Sequence, residues 1–391
     1  MSWKELKTMD LKLLFIADYI RDVYSFSELC KHSNISRKTG YKWVARYKEQ
    51  GIRGLYDKSR RPLDSPAKTL YAIRKEIIDI RLNSRSIVGP KKIQAKLKLH
   101  FPDTSPPSIT TIYNILKKEG LIKDRKISPK VPLFDRKKGY PDQCNEMWSI
   151  DFKGQFLLQT GKWCFPLTVM DSSSRFLCGC RGLQSVATVP TKEAMINIFK
   201  KHGLPNRILS DNGVPFAAKT AGGLSRLAVW WIRLGITPER IKPGCPQQNG
   251  RHERMHRTLK DETAYPRASS MLAQQRRFNR FIREYNNDRP HESLNQTPPS
   301  SVYTRSERKY PSVLPELEYP CYFELHKVAH SGVIYALTGQ VYISNILEGE
   351  IVGMEEIADG FWDVYFGPVR LGSFDERDEA GNMTSYWTLK R

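Results

Sequence analysis

Apolar residues recur at helical spacing near the start of the chain and predict a helix-turn-helix module. Ser25 and Glu28 have the spacing of a capping box, and after a turn at 34–36 Ser36 can cap a second helix. Gly40 costs roughly 1 kcal/mol relative to alanine inside a helix. We therefore expect the second helix to begin irregularly. Its core face is predicted at Trp43, Val44 and Tyr47.

A second module of the same kind is predicted after a basic linker at 57–62. A helix over 67–83 leads to the segment 89–97, then to a Pro-rich turn and an amphipathic helix over 108–118. The apolar face of this last helix is predicted at Ile109, Ile112, Ile115 and Leu116.

The middle of the chain has three apolar runs joined by short turns, followed by alternating helix and strand. This order predicts a mixed sheet with helices on its faces. Asp171 is interpreted as a turn residue between the second and third strands. Further helices are predicted at 224–234 and through the helical spacing of Phe278, Phe281, Ile282 and Tyr285. The predicted strands cover 147–158, 163–170, 175–182 and 207–210, and the predicted helix between them covers 191–202.

The last part of the chain changes to short β-prone runs separated by Gly, Asn and Asp turns, which predict a small β-barrel. With 391 residues the chain is too long for one compact core. The fold class is thus multidomain: all-α helix-turn-helix modules, an α/β core with a mixed sheet, and a small β domain. The predicted domains are 1–58 and 63–130 for DNA binding, 140–305 for the core, and 318–391 for the β domain.

Charge is unevenly distributed. The chain carries a net charge of +22 with a pI near 9.6, as expected for a protein that binds a phosphate backbone. Residues 1–130 hold 29 basic against 13 acidic side chains, and residues 131–314 hold 29 against 15. Residues 315–391 reverse the balance, with 5 basic against 13 acidic. The acidic tail therefore belongs to a different surface, for which contact with another protomer is an alternative to phosphate binding.

Basic and hydroxylated residues on the last helix of each module suit the major groove and its phosphates. The alternative is a plain helical bundle with a solvated basic face. The predicted DNA contacts are Arg37, Lys38, Thr39, Lys42 and Arg46 in the first module, Arg60 and Arg61 in the linker, and Thr110, Thr111, Asn114 and Lys118 in the second module.

Seven cysteines form no spaced pairs of zinc-finger type, so we expect a reduced cytoplasmic setting and no structural zinc. The first apolar run, 11–20, contains Lys12 and Asp18 and has helical periodicity, unlike a signal segment. No run approaches the roughly 20 apolar residues of a membrane span, so no membrane partner is expected.

Three acidic residues carry the candidate chemistry: Asp151 and Asp211 at the ends of predicted strands, and Glu253 in the first turns of a predicted helix. Carboxylates are the ligands that hard divalent cations prefer, and a phosphodiester needs its charge neutralised before an oxygen nucleophile attacks. Each acid alone has an ordinary alternative as a helix cap, turn residue or solvated charge. Asp171 is the chief rival ligand.

Asn249, Glu253, Arg257 and Lys260 recur along one helical face, so Asn249, Arg257 and Lys260 are predicted to contact DNA beside the metal. The ordinary alternative is an i,i+4 pair of Glu253 with Arg257, which contributes roughly 0.2–0.5 kcal/mol. His252 and His256 are placed near the phosphates at most as outer neighbours.

Segment 140–305 resembles the integrase-type core of DDE transposases, in the retroviral integrase superfamily with its RNase H-like fold, and is most similar to the four-eighty-one family of bacterial insertion sequences. The motifs that carry the resemblance are Asp211-Asn212-Gly213 and the segments 248–259 and 285–291. One departure is the distance of 42 positions from Asp211 to Glu253, with 221–227 as the extra material. The acidic tail is similar to the SH3-like module of integrases.

The resemblance implies that Asp151, Asp211 and Glu253 are both the catalytic triad and the ligands of two Mg²⁺ or Mn²⁺ ions. It implies binding of terminal inverted repeats by the N-terminal modules, hydrolysis at the 3' end and strand transfer into target DNA by a homo-oligomer in the bacterial cytoplasm, at the nucleoid. The alternatives are an RNase H-like nuclease and a DNA-binding regulator with a silent core.

Overall fold

The computed structural model describes residues 8–57, 68–84, 88–122, 141–218, 220–336, 339–377 and 386–390. The chain divides into two compact units, Met1–Thr69 and Leu70–Arg391. Arg60 and Arg61, the predicted linker contacts, lie outside the described residues.

The first unit contains the predicted helix-turn-helix. Both hydrogen bonds of the capping box between Ser25 and Glu28 are present, and the Ser36 hydroxyl accepts from the Thr39 backbone N–H. Val44 is buried, with Trp43 and Tyr47 packed against the same core, as predicted. The helices are α1 (Thr8–Arg21), α2 (Phe26–His32) and α3 (Arg37–Gln50), followed by a 3-10 helix at Gly51–Leu55.

The expectation of an irregular start to α3 is wrong. The helix is regular from Arg37, and Gly40 is buried within it. A Cβ at Gly40 would come within 2.8 Å of the Cys30 sulfur and 3.0 Å of the Phe26 ring. Glycine is therefore needed for the close approach of α3 to α2, and this packing outweighs its low helix propensity.

The second unit begins with the second three-helix module. Pro90 occupies the first turn of its middle helix, and the Ser108 hydroxyl caps the last helix by accepting from the Thr111 N–H. Ile112 and Leu116 are buried as predicted, whereas Ile109 is 40% exposed because the packing of this helix begins one turn later. The helices are α4 (Tyr71–Asn83), α5 (Pro90–His100) and α6 (Ile109–Lys118).

The core contains a six-stranded mixed sheet, as predicted. Its order is β2-β3-β1-β5-β6, and β4 also pairs with β3. Strand β1 is antiparallel to β3 and parallel to β5. The single strand predicted over 147–158 is instead broken at 153–155, outside the ladder. The strands are β1 (Met147–Phe152), β2 (Phe156–Leu157), β3 (Trp163–Asp171), β4 (Leu177–Leu183), β5 (Arg207–Ser210) and β6 (Thr237–Arg240).

Alternating residues of β1 and β3 face two different layers of helices. Trp148 and Ile150 of β1 pack with α7 (Thr188–His202) and α8 (Arg226–Arg233). On the other face, Met170 of β3 packs with α9 (Gly250–Thr263) and α10 (Met271–Asn287). Because side chains alternate along a strand, Ser149 and Asp151 lie on the α9 face.

The C-terminal strands form two sheets, in the orders β12-β11-β10-β7 and β13-β9-β8. Within the described residues these sheets do not close into a barrel, so the predicted barrel is not confirmed. The predicted β-prone runs, 333–335, 340–343, 349–353 and 361–366, fall in or overlap β8 to β11, whereas β7, β12 and β13 were not predicted. The strands are β7 (Glu324–Lys327), β8 (Val333–Ala336), β9 (Gly339–Tyr342), β10 (Ile351–Ala358), β11 (Phe361–Phe366), β12 (Val369–Asp375) and β13 (Tyr386–Thr388).

Helix α8 (Arg226–Arg233), which begins within the extra material at 221–227, is buried on two sides. Leu227, Trp230 and Trp231 belong to the core of the mixed sheet. Val229 and Ile232 belong instead to the apolar cluster of the C-terminal sheets. An ion pair from Arg233 to Glu350, with 2.6 Å between Nη1 and Oε2, links the same two parts. Helix α8 thus joins the core to the C-terminal sheets.

Among the helices in the described ranges, none combines the length and the apolar character that a membrane crossing needs.

Candidate active site

The fold brings the three predicted acids to one region of the core. Strands β1 and β5 are parallel neighbours, with Ser149 opposite Leu209. Two residues further along the same register, Asp151 comes level with Asp211, which directly follows β5; neighbouring strands lie about 4.8 Å apart. Glu253 lies in the first turn of α9, which covers this face of the sheet.

Asp151 shows the electrostatic effect of the other two acids. Burial, the negative charge of Asp211 and, to a smaller extent, that of Glu253 together raise its pKa from 3.8 to about 7. Three carboxyl groups therefore influence one another at this end of the sheet. A proton or a cation is stabilised there, because it relieves the repulsion between like charges.

The chemistry of the donor set suits a hard divalent cation, because all three groups offer carboxylate oxygens. Asp151 and Asp211 are half-buried, and Glu253 is exposed on α9. Across the part of the chain that the structure describes, however, no three His, Cys, Asp or Glu side chains are close enough together to form a metal site. That the three carboxyl groups come close enough together to bind the same metal ions therefore stays a prediction.

Asn249 contacts the central acid directly. Its Nδ2 donates to Asp151 Oδ2 over 3.1 Å, and the residue is only 7% exposed at the start of α9. Of the four residues predicted along one helical face, Glu253, Arg257 and Lys260 are exposed, and Asn249 is turned inward. The amide of Asn249 therefore orients the Asp151 carboxyl.

His252 and His256 lie beneath the acids and are buried, so their imidazoles are outer neighbours of the candidate site and do not line its surface. Burial lowers the pKa of His252 to about 3 and that of His256 to about 2, with His252 and Lys153 contributing to the second shift. Both imidazoles are therefore neutral near pH 7. His256 Nδ1 lies 3.7 Å from Asp151 Oδ2.

Ser149 and Thr168, the partners of these histidines, were missed by the sequence analysis. The available signal was the pair of histidines at i and i+4 beside Met255 and Leu259, the apolar residues of the inner face of α9.

Asp171 is confirmed as a turn residue. Its Oδ1 accepts from the Asn145 N–H over 2.8 Å, and its Oδ2 accepts from the Ser174 N–H and hydroxyl over 2.7 and 2.6 Å. The side chain is fully buried, and burial raises its pKa. These hydrogen bonds commit Oδ2 to the turn that follows β3 and Oδ1 to the backbone just before β1.

The predicted DNA contacts that fall within the described residues lie on α3 in the first module and on α6 in the second. Thr39 and Thr111 occupy equivalent positions, because the hydroxyl of each lies 2.9 Å from that of the capping serine, Ser36 or Ser108. Each threonine hydroxyl therefore already has a hydrogen-bond partner within its own helix cap. On α3, Arg37, Lys38 and Lys42 are exposed and Arg46 is half-buried, and on α6, Thr110, Asn114 and Lys118 are exposed.

Four family models match the chain. Two are described as integrase core domain and match residues 141–246 and 234–299. A helix-turn-helix domain matches residues 11–62, and a homeodomain-like domain matches residues 39–116. The matches cover the mixed-sheet core and both N-terminal modules.

Two relatives come from bacterial insertion elements. An uncharacterized 31.7 kDa protein of insertion element IS407 from Burkholderia multivorans is 26% identical over 191 residues, 48% of this chain and 66% of that protein. An uncharacterized 39.2 kDa protein of IS476 from Xanthomonas euvesicatoria is 25% identical over 252 residues, 64% of this chain and 69% of that protein. The chain thus spans about two thirds of each relative.

A chain of a solved simian T-cell lymphotropic virus intasome aligns over its full length with 78% of this chain, at 14% sequence identity and a TM-score of 0.36. Together, the integrase core models, the helix-turn-helix models and the insertion-element relatives support a bacterial insertion-sequence transposase of the retroviral integrase superfamily.

Proposed function

We propose that this chain binds the terminal inverted repeats of its element, hydrolyses a phosphodiester at the 3' end, and joins the freed 3'-hydroxyl to target DNA. Asp151, Asp211 and Glu253 are the proposed catalytic residues. The observation that carries this proposal is the arrangement of the acids: Asp151 and Asp211 come level at the ends of the parallel strands β1 and β5, and Glu253 lies in the first turn of α9, which packs on the same face. The contributions of Asp211 and Glu253 to the raised pKa of Asp151 agree with this arrangement.

The same three carboxylates would hold two Mg²⁺ or Mn²⁺ ions. When bound, such ions activate the attacking oxygen and stabilise the leaving oxygen of a phosphodiester. The Asn249 amide, which donates to Asp151 Oδ2, keeps this carboxyl oriented. Arg257 and Lys260, exposed on the same helix as Glu253, would contact the phosphates of the bound strand.

The exposed basic residues of α3 and α6 are the proposed contacts to the inverted repeats. An additional basic surface is formed on α10 by Arg276, Arg280 and Arg283, all exposed. These charges would bind DNA phosphates and release counterions, so we expect binding to weaken as salt rises.

We further propose that the protein acts as a homo-oligomer on DNA in the bacterial cytoplasm, because two element ends must be joined. Residues 315–391 carry 13 acidic against 5 basic side chains, which disfavours phosphate binding by the C-terminal sheets. Contact with another protomer is the role that this charge supports.

A DNA-binding regulator with a silent core is the second candidate. It is favoured by one observation, that the described residues include no closed group of three metal-binding side chains.

The test is Mg²⁺-dependent cleavage and joining of an oligonucleotide copied from the DNA that flanks this reading frame. We expect Asp151→Asn and Glu253→Gln to lose cleavage but retain end binding. Asp261→Asn is the matched control, because Asp261 is an exposed acid on the same helix as Glu253. End binding without cleavage by the wild type in Mg²⁺ or Mn²⁺ would establish the regulator. Cleavage without end preference or joining would establish a nuclease.

A further inference from the structure

The inner face of α9 contains polar residues where an amphipathic helix would ordinarily place apolar ones. Met255 and Leu259 pack against the sheet, as expected. His252 and His256 lie beside them and are 0% and 4% exposed. Polar groups are buried at such positions only when hydrogen bonds replace those lost to water.

Four residues, Ser149, Thr168, His252 and His256, form one hydrogen-bonded group, here called the histidine cluster. Thr168 Oγ1 lies 2.6 Å from Nε2 of each histidine. Ser149 Oγ lies 2.7 Å from His252 Nδ1. The cluster thus connects α9 to β1 through Ser149 and to β3 through Thr168.

The hydrogen-bond network assigns the protons of the cluster. Thr168 Oγ1 lies 2.9 Å from the main-chain oxygen of Asp151, which can only accept, so the Thr168 hydroxyl donates to it. Both histidines must then donate their Nε2–H groups to Thr168 Oγ1. With its one proton on Nε2, neutral His252 accepts the Ser149 hydroxyl proton at Nδ1 over 2.7 Å, a shorter contact than the 3.3 Å from Ser149 Oγ to the main-chain oxygen of Met170.

Thr168 stands at the centre of this arrangement and is also the cross-strand partner of Asp151 in the β1–β3 ladder. Glu253 lies between the two histidines in the sequence of α9, directly after His252. The histidines are one turn apart, about 6 Å along the helix axis. Two anchor points at this separation fix both the rotation of α9 and its position along its axis.

We propose that the histidine cluster sets the position of Glu253 relative to Asp151, which makes its four members positioning residues of the active site. This inference rests on the proposed function, in which Asp151 and Glu253 bind the same ions. Without the Thr168 hydroxyl, two buried N–H donors lose their acceptor, and α9 is free to rotate or shift away from the strands.

The test compares Thr168→Val, which removes the hydroxyl, with Thr168→Ser, which keeps it. The first measurement is hydrogen exchange of backbone amides in Gly250–Thr263, with Thr188–His202 of α7 as an internal reference for the fold. We expect faster exchange in α9 of Thr168→Val, unchanged exchange in α7, and wild-type behaviour of Thr168→Ser.

The second measurement is the ratio of DNA-end cleavage rates in Mg²⁺ and Mn²⁺. Mg²⁺ demands nearly ideal octahedral geometry, so displaced ligands should lower its activity more. We expect the Mg²⁺ rate of Thr168→Val to fall about 10- to 100-fold, the usual effect of losing an outer partner of a metal site. The Mn²⁺ rate should fall less, and Thr168→Ser should restore both rates.

Unchanged exchange in α9 of Thr168→Val would overturn the inference, as would equal loss of Mg²⁺ and Mn²⁺ activity. If α7 also exchanges faster, Ser149→Ala, which removes only the outermost hydrogen bond of the cluster, replaces Thr168→Val under the same criteria. If the wild-type chain cleaves no end DNA, the proposed function fails, and the protection of α9 alone then decides whether the cluster anchors the helix.

Discussion

The raised pKa of Asp151 predicts that the proposed active site destabilises the metal-free protein at neutral and higher pH. The pKa rises from the ordinary 3.8 to about 7 on folding. Between these values the folded chain binds more protons than the unfolded chain, so the free energy of unfolding decreases as pH rises. Near pH 4 the group is protonated in the folded state and only about half ionised in the unfolded state, so its contribution is small.

The magnitude follows from the difference between the pKa of Asp151 in the unfolded chain, 3.8, and in the folded chain, about 7. Each unit corresponds to about 1.4 kcal/mol, so the ionised Asp151 costs up to about 4 kcal/mol of folding free energy at pH 8. Asp151→Asn removes this charge while keeping the size of the side chain. We expect the variant to match the wild type near pH 4 and to be more stable at pH 8, with about 4 kcal/mol as the ceiling.

The assay is urea unfolding in a metal chelator from pH 4 to pH 8, followed by the fluorescence of the buried tryptophans Trp148 and Trp231. Asp261→Asn controls for loss of an exposed carboxyl and should stay within about 0.5 kcal/mol of the wild type at pH 8. Mg²⁺ should stabilise the wild type at pH 8 more than Asp151→Asn, because binding to the folded state alone shifts unfolding. An Asp151→Asn variant no more stable than the wild type at pH 8 would refute the reasoning.

Three further predictions concern packing and DNA. Ile232→Ala should destabilise the C-terminal sheets by about 2–4 kcal/mol in urea unfolding, because Ile232 is 2% exposed in their core; a loss below about 1 kcal/mol would contradict the joining role of α8. Gly40→Ala should reduce the free energy of unfolding by about 1–3 kcal/mol through overpacking against Cys30, which is measured as a lower thermal midpoint; a stabilised variant would show that helix propensity outweighs the contact. Lys42→Ala should weaken binding to all DNA sequences alike and lower the salt slope by about 0.9 in a filter-binding titration, whereas loss of affinity for the element ends alone would indicate base recognition.

The local features of the N-terminal modules were predictable, because their signals lie within a few residues of one another. The capping box at Ser25 and the cap at Ser36 depend on side chains three positions apart. The tolerance of α3 for Gly40 depends instead on Cys30 and Phe26, whose proximity exists only in the folded unit. Sequence propensity therefore predicted the helix correctly, but it wrongly predicted that Gly40 would make the start of the helix irregular.

The acids of the candidate site were predictable from their flanking motifs, but their supporting residues were not. Thr168 lies 84 residues before His252, and nothing in either local sequence indicates their hydrogen bond. Likewise, helical spacing predicted Asn249 on the exposed face of α9, but the helix begins only at Gly250, and Asn249 turns toward Asp151. Contacts across the sheet decide such details.

The register of β1 links the hydrophobic pattern of the core to its chemistry. Trp148 and Ile150 are fully buried against α7 and α8, and Ser149 and Asp151 alternate with them toward α9. A slip of one residue would exchange the two sets, placing a carboxyl in the apolar layer and a tryptophan among the acids. The two neighbours of β1, the antiparallel strand β3 and the parallel strand β5, hold this register from both sides. The apolar face therefore fixes where Asp151 stands, and this allows the opposite face to carry buried histidines and mutually repelling carboxyls at a cost in stability.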